Sequence, residues 1–180
     1  MSRGRKSIYL LLLGGIVLGV VFSGVFSATM HFTSTDSFCL SCHNHDIPFN
    51  ELKTTAHFAN EFGISPGCAD CHLPHSFIPK MKRKVAAAKE VYGHITGVID
   101  TDEKYLAHRE EMKAREIARL KASDSAECRY CHNVERMDLD QQSKTARKKH
   151  QEMLDNSKTC IDCHQGIAHT PAIEEDDFGF

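Results

Sequence analysis

The chain of 180 residues has no Trp, four Tyr and five Pro. Strand signals are just as scarce, since no run of alternating β-branched residues reaches a convincing length. Opposite charges nearly cancel, at a net −2 and a pI near 6.6. Nothing in that balance points to nucleic acid or another polyanion. Outside one N-terminal segment, aliphatic sequence is too thin to build a large core. Something other than side chains must therefore fill the interior. What remains is room for one modest, mainly α-helical domain of short helices and long loops, with an appendage.

The appendage is the one long apolar run. From Ser7 to Met30 no residue is charged, and Arg3, Arg5 and Lys6 precede the run. A helix needs about 20 residues to cross the hydrocarbon core, so this stretch suffices. It is longer than the h-region of a cleaved signal peptide, about 7–15 residues, although Ser27-Ala28 resembles a weak cleavage site. Basic residues before it and none just after it predict an inner N-terminus and an outer remainder. Gly15, Gly19, Ser23 and Ser27 recur every fourth residue, a face on which another helix could approach closely, as in a homodimer. Further along, Pro79 suits the first turn of a helix. Residues 103–122 carry the strongest helical pattern, charged enough to read as a solvated or connecting helix. The acidic end, Glu174 to Asp177, is expected to be unstructured.

Eight Cys and twelve His are the unusual abundance. All eight cysteines fall in one repeated pentapeptide: Cys39-Leu40-Ser41-Cys42-His43, Cys68-Ala69-Asp70-Cys71-His72, Cys128-Arg129-Tyr130-Cys131-His132 and Cys160-Ile161-Asp162-Cys163-His164. C-x-x-C-H is the haem c attachment pattern, in which two thiols add to the porphyrin vinyl groups and the next residue sits beneath the iron. Zinc and redox motifs also use C-x-x-C, but neither requires His after every pair. Four haems are therefore expected, and the macrocycles supply the missing core.

The other histidines repeat too. His57 and His75 flank the second motif as His150 and His169 flank the fourth, so each half reads motif, His, motif, His. This is a duplicated dihaem unit with four spare imidazoles for four irons. Irons with two axial imidazoles carry electrons and leave no position for a substrate. His31, His94 and His108 read as surface or interfacial residues, while His45 lies two residues beyond the first motif histidine.

These features resemble the NapC/NirT family of membrane-anchored tetrahaem quinol dehydrogenases. The likeness extends beyond the haem motifs, through Leu73-Pro74-His75, the segment from Phe77 to Gly93, Gly97 to Thr101, Ala107-His108-Arg109, and Cys160 to His169. Its linkers look most like the NapC type. The resemblance implies an N-terminal helix in the bacterial inner membrane and a periplasmic haem domain lying against it. It implies oxidation of quinol from the membrane pool and electron delivery to a periplasmic reductase, nitrate reductase first among them. Other members serve reductases for nitrite, trimethylamine N-oxide or dimethyl sulfoxide. His57, His75, His150 and His169 fall where NapC-type members place distal ligands. At the first haem some members carry Met where this chain has His45, which leaves His43, His45, or one of these with an open sixth site.

Quinol oxidation releases two protons and two electrons, so a proton acceptor and a hydrogen-bonding cation are expected beside a haem. Arg83, Ala87 and Glu90 lie at i, i+4 and i+7 on one helix face. Family members place a basic residue and a carboxylate at the positions of Arg83 and Glu90. A basic patch of Lys80, Lys82 and Lys84 facing anionic lipid is the competing reading. The expected layout is a cytoplasmic start over 1–6, an anchor over 7–30, a periplasmic tetrahaem domain over 31–170 and an acidic tail over 171–180. The alternative function is a haem enzyme that itself reduces a small nitrogen or sulfur oxide at an open first haem.

Overall fold

The computed structural model describes residues 3–42, 45–156 and 158–170. The first motif histidine, His43, and the acidic tail lie outside them. Among the described residues the chain is helical and contains no strand, in line with its sequence. Helix α1, Arg3–Phe32, contains the expected span; an 18-residue window within Gly4–Phe32 has a mean hydropathy of 2.4 and buries none of its residues within the molecule. Thirty residues reach about 45 Å at 1.5 Å per residue, enough to cross a bilayer and emerge. Its end is sharp because the Thr33 and Ser34 hydroxyls donate to the carbonyls of Thr29 and Met30 at 2.8 Å. Thr35 then accepts from the Phe38 amide and caps α2, Asp36–Cys39.

Short helices α3, Asp46–Leu52, and α4, Cys68–His72, lead into α5, Phe77–Ile95, and α6, Asp102–Ala122. Helix α7, Ala126–Cys131, holds the third motif; α8, Lys144–Asn156, and a 3-10 turn over Cys160–Asp162 complete the domain. Pro79 lies in the first turn of α5, where its missing N–H costs nothing. Only Leu52 and Val134 are buried apolar residues among those described. Side chains alone make no core here, which agrees with an interior reserved for macrocycles.

Helix α5 is amphipathic in the wrong sense for a water-facing helix. Ile78, Val85, Tyr92 and Ile95 share one side and are 59%, 77%, 68% and 76% exposed. The opposite side, turned into the molecule, carries Arg83, Ala87, Glu90 and His94. Two contacts tie α5 to the anchor. Phe77 packs on Phe26 with ring centroids 6.3 Å apart, and the Lys84 ammonium donates to the Thr33 carbonyl and hydroxyl at 2.8 Å.

Helix α6, expected as a solvated or connecting helix, connects: its charges are ion-paired to α3, α5 and α7 and to the turn of the fourth motif. Arg109 pairs with Glu51 of α3 at 2.8 Å and donates to the Thr170 carbonyl. Glu116 meets His72 of α4. Arg119 donates to the Cys71 carbonyl at 3.0 Å and to Glu127 of α7 at 2.7 Å. Lys121 pairs with Asp162 beside the fourth motif at 2.7 Å. The Glu127 side chain is 1% exposed, so its charge depends on Arg119. Removing one partner of a buried pair typically costs about 3–5 kcal/mol. Arg119→Met should therefore lower the unfolding midpoint of the haem-loaded, detergent-extracted protein by roughly 6–20 °C, at about 2–4 °C per kcal/mol for a chain of this size. An unchanged midpoint in a thermal melt would show that the pair is not structural.

Candidate functional site

The second, third and fourth attachment motifs start on α4, α7 and the 3-10 turn over Cys160–Asp162, while in the first Cys39 ends α2 and Cys42 lies in the turn after it. The motifs are stacked in chain order. Helix α2 packs on α4, and the neighbouring Cys68 draws the Cys39 thiol below its ordinary value. Burial, with the neighbouring Cys128 and Asp70, pushes the Cys71 thiol up to about 11. Cys128 in turn feels Cys160. First meets second, second meets third, and third meets fourth. At the first junction the Asp36 carboxylate accepts the Cys68 amide at 2.8 Å, and a Cβ at Gly67 would stand 2.7 Å from Asp36 Oδ1, so a side chain there would push that carboxylate aside.

Three of the motif histidines face a second imidazole. His72 lies opposite His169 with ring centroids 6.0 Å apart, His132 opposite His57 at 6.2 Å, and His164 opposite His150 at 6.0 Å. Two imidazoles on opposite sides of one metal place their centroids about 6 Å apart, from two metal–nitrogen bonds of about 2 Å and two half-rings. The fit is therefore close. The distal nitrogens are also prepared. His169 Nδ1 bonds to the Pro48 carbonyl at 3.0 Å and His150 Nδ1 to Gln142 at 2.6 Å, which leaves Nε2 free on each ring. A metal-binding histidine is commonly held by its other nitrogen in this way. Burial and the facing His72 push His169 below its ordinary value, keeping it neutral, the form that binds a metal.

The duplicated sequence pattern does not survive as duplicated pairing. His150 faces the motif that follows it, whereas His57 passes over the second motif to face the third. His169 returns from the far end to the second. His75 is not opposite a motif histidine among the described residues. It stacks on Tyr130 of the third motif with centroids 3.6 Å apart and planes 10° apart, and its Nε2 is shielded from solvent without a partner. His45 has its Nδ1 on the Cys39 carbonyl, so its Nε2 is the free atom beside the first motif.

Arg83 and Glu90 are brought together as their spacing requires, 4.0 Å apart. Arg83 is 18% exposed, and its Nε is shielded without a hydrogen-bond partner among the described residues. Glu90 also lies 3.9 Å from Arg115 of α6. Glu116, which nothing in the sequence singles out, joins this group to the second motif. Its carboxylate meets Arg83 at 3.2 Å, His72 Nδ1 at 3.1 Å and Arg119 at 2.8 Å. Burial raises the Glu116 carboxyl, but hydrogen bonds from His72 and Arg119 outweigh it and hold it at about 2. His94, on the same face of α5, keeps its Nδ1 shielded and unpartnered, a placement that no local pattern signalled. The basic patch divides: Lys84 is bound to the anchor end, while Lys82 lies exposed.

Comparison with known proteins accords with this geometry. The profile of the NapC/NirT cytochrome c family, N-terminal region, matches residues 1–174. Cytochrome c-type protein NapC of Escherichia coli (strain K12) is 46% identical over 181 residues, covering 99% of this chain and 90% of that protein. The denitrification system component NirT of Stutzerimonas stutzeri is 48% identical over 166 residues, covering 92% and 83%. A putative tetraheme cytochrome-c type protein of Allochromatium vinosum is 43% identical over 177 residues. Among solved structures, the cytochrome c nitrite reductase NrfHA complex bound to the HQNO inhibitor superposes with a TM-score of 0.50 at 25% identity, covering 89% of this chain and 90% of that one. With nearly the whole chain matched, the chain belongs to the NapC/NirT cytochrome c family, as a membrane-anchored tetrahaem cytochrome that transfers electrons.

Proposed function

We propose that this cytochrome oxidises quinol at the membrane surface and passes the electrons to a periplasmic reductase, a nitrate reductase before others. The observation that carries the quinol reading is the sheltered Arg83 with its unpartnered Nε, next to Glu90, on the inner face of a helix whose outer face is apolar. Such an inside-out helix suits the headgroup and acyl boundary, where Ile78, Val85 and Tyr92 meet lipid and Lys82 and Lys89 reach toward headgroups. A quinol ring entering from the bilayer then finds a hydrogen-bond donor in Arg83 and a proton acceptor in Glu90. One quinol yields one quinone, two protons and two electrons. The relatives named NapC and NirT support a respiratory reductase as the acceptor.

Each bound haem supplies a one-electron carrier. The cysteines Cys39, Cys42, Cys68, Cys71, Cys128, Cys131, Cys160 and Cys163 fix the four groups, and His43, His72, His132 and His164 are the proximal ligands. His169, His57 and His150 complete the second, third and fourth sites. His75, with its sheltered Nε2, and His45 are the imidazoles left for the first. Contact between successive motifs gives a route from the membrane outward. Arg3, Arg5 and Lys6 set the N-terminus in the cytoplasm and the haem domain in the periplasm. In α1, Gly15 and Gly19 have open space where a Cβ would stand, which suits a homodimer through the anchor. The reading of a haem that itself reduces a nitrogen or sulfur oxide at an open first haem is not favoured, because the relatives named NapC and NirT point to electron delivery instead.

Two sets of variants test this. Glu90→Gln should slow reduction of the haems by a reduced quinol analogue on the order of 100-fold, the usual weight of a general base, with dithionite reduction unchanged. Equal rates in stopped-flow absorbance would remove Glu90 from the reaction. His57→Ala, His150→Ala and His169→Ala should each turn one low-spin haem high-spin in electron paramagnetic resonance while four haems stay attached. A variant that keeps all its low-spin signals is not missing a ligand.

A further inference from the structure

Glu116 occupies an unusual position. It stands on α6, 44 residues from His72 and 33 from Arg83, yet it bonds both. Its Oε1 lies 3.1 Å from His72 Nδ1 and also accepts from Arg119 Nε and Nη2 at 2.9 and 2.8 Å, while Oε2 accepts from Arg83 Nη2 at 3.2 Å. The side chain is 21% exposed, so these contacts are only partly screened. An anion on the outer nitrogen of an axial imidazole makes that ligand more basic and favours ferric over ferrous iron. The same anion is partly neutralised by Arg83, the residue that faces quinol.

We propose that Glu116 is a positioning residue that lowers the potential of the second haem and couples it to the charge at Arg83. The coupling rests on the reading of His72 as a haem ligand and of Arg83 as part of the quinol site. Its consequence is that whatever engages Arg83 is felt at the second haem directly, through one carboxylate, as well as by way of the first. When a quinol oxygen draws on the Arg83 guanidinium, less of that cation's field reaches Glu116, and the second haem responds.

The test is an equilibrium redox titration of the full-length holoprotein in detergent with chemical mediators, so that no quinol takes part. Glu116→Gln should raise one of the four potentials by a tenfold change in its reduction equilibrium, about 59 mV for one electron. Glu116→Asp, which keeps the charge, should recover most of that shift. Arg83→Gln should lower the same potential in the wild-type background and have no effect in the Glu116→Gln background, the signature of coupled sites. Four unchanged potentials in Glu116→Gln, or four equal shifts, would overturn the proposal. If Glu116→Gln fails to accumulate with four haems, Arg83→Gln alone decides: a lowered potential supports the coupling and an unchanged one overturns it. A failure of the quinol reading leaves these titrations intact and shows instead as normal quinol reduction in Glu90→Gln.

Discussion

The ion pair between Arg119 and the buried Glu127 is the contact on which this domain turns. Arg119 reaches the second motif through the Cys71 carbonyl, the third through Glu127, and the His72 partner Glu116 along its own helix. A protein of this size would ordinarily join such pieces with apolar side chains, but here the interior is given over to macrocycles. Charged side chains on α6 do the joining, because a long arginine or lysine can span the distance that a haem edge leaves. This also explains a helix so rich in Glu, Lys and Arg within a domain that has only two buried apolar residues among those described.

The second organising constraint is the membrane. Helix α5 points apolar residues out and Arg83, Glu90 and His94 in, and it is pinned to the emerging anchor by Phe77 and Lys84. Water would penalise that orientation, and a lipid interface favours it. The inversion gathers Arg83, Glu90 and His94 on the side that faces the second motif. The buried polar groups and the exposed apolar groups are thus two sides of one helix, the arrangement on which the proposed quinol site rests.

The histidine pairing shows how far a repeat can mislead. Two halves with the same order of motifs and spare histidines suggest two equivalent dihaem units. In the folded chain, His57 and His169 cross between halves while His150 stays in its own. Crossing ties the first and last segments together, and the His169 hydrogen bond to Pro48 adds to that closure.

The sequence by itself determined what is covalent or local. The haem attachment sites are read from adjacent residues, the anchor from an unbroken apolar run, α5 and α6 from composition and a first-turn proline, and the closeness of Arg83 and Glu90 from helical spacing. His57, His75, His150 and His169 stand out as candidates by their repeated placement around the motifs, and three of them, His57, His150 and His169, lie opposite motif histidines. Only the tertiary structure decided which histidine faces which motif, which elements α6 is ion-paired to, and that Glu116 links His72 to Arg83. Most of these depend on contacts between residues 33 to 97 positions apart, for which no local periodicity exists. Charges that look like a solvated surface in one dimension become the joints of the domain once the chain is folded around groups that the sequence names but does not contain.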